Sequence, residues 1–157
     1  MSIYLIRHAS AGTRGRAEAP DLHRPLDDYG RQQADAIAAR LAQTALEAVL
    51  SSAALRCIQT VAPLAALHGV EVETHPALLE GADLAATLDL IESCAHRTVA
   101  LCSHGDVIPE VMQLLANRGV QIGNRRGFAK GGIWTLDGDG SGDGVISRAV
   151  YESTVIE

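Results

Sequence analysis

Three short apolar runs in this sequence each stop on a polar pair ahead of a helical pattern. Ile3-Tyr4-Leu5-Ile6 stops on Arg7-His8, Ala48-Val49-Leu50 on Ser51-Ser52, and Thr98-Val99-Ala100-Leu101-Cys102 on Ser103-His104. Runs this short and this apolar read as buried strands. A polar surface loop from about Gly12 to Arg24 follows the first run, and the stretches beyond read as helices. Asp27 is a good N-cap, followed by Ala34, Ile37, Ala38 and Leu41 at helical spacing. Leu55 to about His68 is a second helix, with Pro63 a local weakness and Gly69 at the expected stop. Asp83 to about Ala95 and Val107 to about Ala116 give two more, Pro109 being tolerable in a first turn. Val70-Glu71-Val72-Glu73 alternates like a strand. Gly132–Leu136 and Val145–Val150 read as a terminal hairpin across the Asp/Gly run 137–144. Strands alternating with helices predict an α/β fold of three layers, α/β/α, with a mostly parallel central sheet. The 157 residues read as a single domain.

Composition narrows the partners. The net charge is −6 and aromatic residues are 3% of the chain. A general nucleic-acid binder needs the opposite charge balance, and a single-strand binder needs stacking platforms. No window approaches a membrane span, and the N-terminus has no leader-like apolar run. Cys57, Cys94 and Cys102 follow no metal-type spacing and read as buried free thiols of a cytoplasmic protein. Cys102 precedes Ser103-His104, but a strand cysteine reads as core rather than nucleophile. The Asp/Gly run lacks the Glu that a calcium loop needs at its twelfth position. No metal or cofactor is therefore expected.

In open α/β sheets, ligands bind beyond the carboxyl ends of the strands. If the three runs are neighbours, Arg7, His8, Arg56 and His104 converge on one spot beside a helix N-terminus. Like charges in a cleft repel, so a multi-oxygen anion is the natural guest. Arginine meets phosphate oxygens at two points, and a neutral imidazole is a competent nucleophile toward phosphorus. The residues alone point to phosphate chemistry at a histidine.

Longer blocks carry a resemblance. Leu5-Ile6-Arg7-His8-Ala9, Arg24-Pro25-Leu26-Asp27 with Gly30, Gln33 and Ala34, Ser51-Ser52-Ala53-Ala54-Leu55-Arg56-Cys57-Ile58-Gln59-Thr60, and Ser103-His104-Gly105 stand in one order. They resemble the signature blocks of the histidine phosphatase superfamily, the phosphoglycerate mutase-like fold, and its small SixA-like branch. Asn124-Arg125-Arg126 through Trp134 is also similar to the histidine phosphatase domain fused to actinobacterial Nudix hydrolases. No Nudix segment lies within these residues, so only the phosphatase half is carried over. Ala9 and Ala53 stand where Gly and Pro are commoner in the family. Ala9 is tolerable if its φ is negative.

The resemblance implies that His8 is a nucleophile forming a covalent phosphohistidine. It implies that Arg7, Arg56 and His104 hold the non-bridging oxygens, and that Glu80 protonates the leaving group. Ser10, Gly105 and Lys130 are candidates for touching the substrate, though Ser10 reads more readily as a loop serine. Arg125, Arg126 and Lys130 either rim the pocket or form a solvated loop face. A chain this short leaves little room for the substrate-closing insertions of mutases. Two substrates follow. A shallow pocket suits a phosphorylated protein carrying phosphohistidine, which is the leading expectation. A working Glu80 suits a small phosphomonoester or nucleotide, because SixA-like enzymes can lack a clear acid there. The alternative of another class is a binding module that senses phosphate without turnover.

Overall fold

The computed structural model describes residues 1–12, 21–138, 145–154 and 156. Its elements are β1 (Ser2–Arg7), α1 (Asp28–Arg40), β2 (Ala48–Ser51), α2 (Leu55–Leu67), β3 (Val72–Thr74), α3 (Leu84–Ser93), β4 (Val99–Ser103), α4 (Val107–Asn117), β5 (Gln121–Ile122), β6 (Ile133–Gly138) and β7 (Ile146–Glu152). Short 3-10 turns cover Asp21–His23 and Pro76–Leu78. The strands form one sheet in the order β3-β2-β4-β1-β6-β7-β5. Among the described strands only β6 runs against the rest, pairing antiparallel with β1 and β7. The sheet is therefore mostly parallel, as expected.

Strand alternation sends successive side chains to opposite faces. Ile3 and Leu5 join Leu88, Ile91, Val111 and Leu115 on the α3–α4 side. Ile6 joins Ile37, Val61 and Leu64 on the α1–α2 side. Each fully buried side chain of this kind is worth roughly 1.5–3 kcal/mol. Two helix pairs thus clamp the sheet, which gives the three layers.

Register brings the strand ends level. Arg7 lies opposite Ser103, and Ser51 lies opposite Cys102. The alignment continues past the strands. His8 N–H donates to the Ser103 carbonyl, and Ser52 N–H to the Cys102 carbonyl, both at 3.0 Å.

Two elements differ from expectation. β3 starts at Val72 rather than Val70, because Val70 finishes α2: its N–H donates to the Ala65 carbonyl at 3.0 Å, with Gly69 left-handed at φ +69°. That closure is a Schellman motif, and it consumes the residue that alternation assigned to the strand. The two-residue β5, paired with β7, was not foreseen. Pro63 is accommodated inside α2. Asp27 does cap α1, its Oδ1 accepting from Gly30 N–H at 2.7 Å. Cys57, Cys94 and Cys102 are free and buried. Most of the Asp/Gly run, residues 139–144, and residues 13–20 of the polar loop lie outside the described residues.

Candidate active site

The ends of β1 and β4 and the first turn of α2 bring together the four residues that sequence placed at one spot. His8 is 5% exposed, Arg56 1% and His104 2%. The His8 and His104 rings lie edge to face, 5.4 Å apart at 65°. Arg56 Nη2 approaches His104 Nδ1 at 3.3 Å. Buried polar groups on this scale persist only when partners hold them.

His8 is held through Nδ1, which donates to the Ala9 carbonyl at 2.8 Å. That tautomer gives Nε2 the lone pair. Burial pushes the ring down to about 3, the Ala9 bond opposes it, and the nearby His104, Arg56 and Arg7 add to the lowering. His8 is thus neutral throughout the physiological range. Ala9 itself is buried and its N–H donates to Thr60 Oγ1 at 2.9 Å. Its φ is not positive, so the alanine fits where the family more often has glycine.

Arg7 donates through Nη1 to the Phe128 carbonyl at 2.6 Å. Gly105 lies flat against this guanidinium: a Cβ there would stand 2.6 Å from Arg7 Cζ. Glycine is needed for that close approach, so the Gly105 position shapes the site through Arg7. Arg56 is the more heavily bound. Its Nη1 donates to the Asp21 carbonyl at 2.8 Å and its Nη2 to Glu80 Oε2 at 2.9 Å. Asp21 Oδ2 stands 3.2 Å from the same Nη2. The Nε atoms of Arg7 and Arg56 are buried with no partner among the described residues. Such orphaned donors cost free energy until an acceptor meets them.

His104 is oriented from behind. Its Nε2 is hydrogen-bonded to Ser52 Oγ at 2.8 Å and lies 3.6 Å from Cys57 Sγ. Its Nδ1 faces Arg56 and stands 3.9 Å from Glu80 Oε2. Burial opposes ionisation of Cys57, but hydrogen bonds from Cys102 and His104 and the fields of His104 and Arg56 outweigh it and lower the thiol.

The remaining candidates are placed differently. Glu80 joins the cluster. Ser10 points its hydroxyl at Asp27 Oδ2, 2.6 Å away, so it fastens the loop to α1. Lys130 is exposed, and its carbonyl accepts from Gln33 Nε2 at 3.0 Å. Thr60, Ser52, Cys57 and Asp21 support the cluster without having been singled out. Thr60 was within reach of sequence reasoning, being one helical turn after Arg56 and donating to its carbonyl at 2.6 Å. Asp21 lies in a polar loop with no pattern to mark it. Among the described residues no group of three His, Cys, Asp or Glu could hold a metal ion. No described helix is long and apolar enough to cross a membrane.

A mostly parallel α/β/α fold thus gathers two histidines and two arginines at one end of its sheet. Residues 3–82 match the model of the histidine phosphatase superfamily (branch 1), and the chain belongs to that family. It is 31% identical over 157 residues to an 8-oxo-(d)GTP phosphatase of Mycolicibacterium smegmatis, covering 97% of this chain and 48% of the relative. The chain thus spans about half the length of that relative. A SixA structure from Nakamurella multipartitia, described as a phosphohistidine phosphatase, shares 25% identity with a TM-score of 0.75, covering 99% of this chain and 96% of that one. A similarly described SixA structure from Agrobacterium tumefaciens shares 25% identity with a TM-score of 0.69, covering 87% and 90%.

Proposed function

We propose that this chain is a phosphatase that carries the phosphoryl group on His8. The observation that supports it best is the neutral His8, locked through Nδ1 and offering Nε2 beside two arginines and His104. Nε2 attacks phosphorus in line, and the bond to the leaving group breaks. Arg7, Arg56 and His104 hold the non-bridging oxygens, where transition-state charge spreads. Glu80 gives its proton to the leaving oxygen. Water then attacks the phosphohistidine, returns a proton to Glu80, and releases inorganic phosphate and neutral His8. The arginines supply the positive field, so this mechanism calls on no metal or cofactor.

The arrangement of Glu80 favours a phosphomonoester or nucleotide as substrate. An alkoxide leaves poorly without a proton, and the carboxylate stands on Arg56 within the cluster. An incoming phosphate competes for Arg56 Nη2 and so arrives next to the Glu80 carboxyl. The phosphatase name of the M. smegmatis relative supports the nucleotide reading. The SixA structures support a second reading, in which the substrate is phosphohistidine in a protein. This order reverses the one expected from chain length.

The test compares kcat/KM for a phosphohistidine protein, nucleotides and sugar phosphates. A nucleotide or sugar phosphate should win. A protein substrate that wins by more than about tenfold, or 1.4 kcal/mol, installs the second reading instead. Glu80→Gln should slow alkyl phosphates more than p-nitrophenyl phosphate; equal slowing of both removes the acid role.

A further inference from the structure

A cleft of about 450 Å³ is lined by Pro109, Met112, Gln113, Arg126, Phe128 and Trp134 among others, and Phe128 also contacts Arg7. Its size is that of a small-molecule pocket. We infer that this cleft is a nucleobase pocket, with Phe128 as its stacking face and Arg126 as its polar contact. The inference rests on the phosphatase reading and narrows its substrate to a nucleotide.

Continuity is the first argument. Phe128 offers its carbonyl to Arg7 Nη1 at 2.6 Å and is also a lining residue of the cleft. One residue therefore touches both the proposed phosphate arginine and the pocket wall. A sugar is the natural spacer between a phosphate on one side of that residue and a base on the other.

Chemistry is the second. Phe128 is the chain's one phenylalanine, and it is 37% exposed. It stands in a short aromatic ladder: its ring lies 6.0 Å from Trp134, which lies 5.2 Å from Tyr151. Trp134 is fixed, its Nε1–H donating to the Gly127 carbonyl at 3.0 Å. An exposed aromatic backed by a locked one is a stacking platform, and base stacking is worth roughly 1–3 kcal/mol. Arg126 pairs with no carboxylate among the described residues. Its guanidinium matches the carbonyl and ring-nitrogen acceptors at a base edge.

Preorganisation is the third. The arm that carries Arg126 and Phe128 is clamped to β7. A Cβ on Gly127 or Gly132 would stand 2.6 Å or 2.7 Å from the Tyr151 side chain, and Tyr151 Oη accepts from Ala129 N–H at 3.1 Å. A wall fixed in this way spends little ordering free energy on binding.

Trp134 is the chain's one tryptophan, so the cleft carries its own reporter. The intact chain would be titrated with guanosine and adenosine, which lack phosphate, while tryptophan emission is followed. Saturable quenching is expected, weakened at least fivefold by Phe128→Ala and by Arg126→Ala. In turnover, both variants should lose about 5- to 30-fold in kcat/KM on nucleotides, mainly through KM, and Arg126→Ala should keep wild-type rates on ribose 5-phosphate. Absence of quenching, or equal losses on both substrates, overturns the pocket while leaving the phosphatase reading intact. Quenching without turnover of any phosphorylated compound defeats the phosphatase reading and keeps the pocket. If the variants instead lose activity on a phosphohistidine protein and not on nucleotides, the cleft takes a polypeptide and the inference falls.

Discussion

Two walls of the molecule differ in construction. One is made by the ends of the parallel strands β1, β4 and β2, where His8, Arg56 and His104 are almost wholly buried and each is held by named partners. The other is the arm of residues 123–132 leading into the antiparallel β6, exposed over much of its length and fixed by glycines packed against Tyr151. The first wall can do one kind of chemistry and has little freedom to change. The second leaves side chains such as Arg126 and Phe128 open to vary without disturbing the core. On the proposed function, reaction and selectivity fall on separate parts of the fold.

Substitutions can break this division. Arg56→Ala should have the larger effect, lowering kcat/KM about 10²–10³-fold on every substrate, base or no base. A loss below threefold would take Arg56 out of the chemistry. Gly105→Ala tests how tightly the buried wall is built. The added methyl group must push the Arg7 guanidinium aside, and misplacement of about 1 Å can cost up to about 10²-fold. Thermal stability should change little, because the displaced group is the end of a flexible side chain. A large fall in Tm with unchanged kcat/KM would mean that Gly105 serves folding and not Arg7.

A third, smaller effect concerns pH. The folded His8 titrates near 3, whereas the unfolded ring titrates near its ordinary 6.5. Between those values the unfolded chain binds a proton that the folded chain refuses, so His8 lowers stability progressively as pH falls from 6.5 toward 3. Above about pH 7 it has no such effect. His8→Ala should therefore flatten the acid side of the Tm–pH curve relative to wild type. Parallel curves would show that His8 is not held neutral.

The two walls also differed in how far the sequence revealed them. Arg7, His8, Ser52, Arg56 and His104 lie at strand ends or a turn beyond, where apolar runs break off abruptly, and register then puts them level. The strands themselves were legible because they are continuous apolar runs. β5 was not, since two residues cannot display a period. β3 was displaced because the closing bond of α2 claimed Val70. The packing of Gly105 was hidden for a related reason: what it contacts is Arg7, nearly a hundred positions away in the chain. Asp21 and the Phe128 carbonyl were invisible, because main-chain and loop contacts leave no residue pattern. Ser10, which read more readily as a loop serine than as a phosphate contact, ties its loop to the cap of α1.

The account depends on His8 becoming covalently phosphorylated. Wild type and His8→Ala would be mixed with a ³²P-labelled activated phosphate, quenched in alkali and mapped by mass spectrometry. The account predicts an acid-labile, alkali-stable label on His8 in wild type, none in a folded His8→Ala, and turnover below detection in that variant. Label on another residue, or phosphatase activity surviving in His8→Ala, would contradict it.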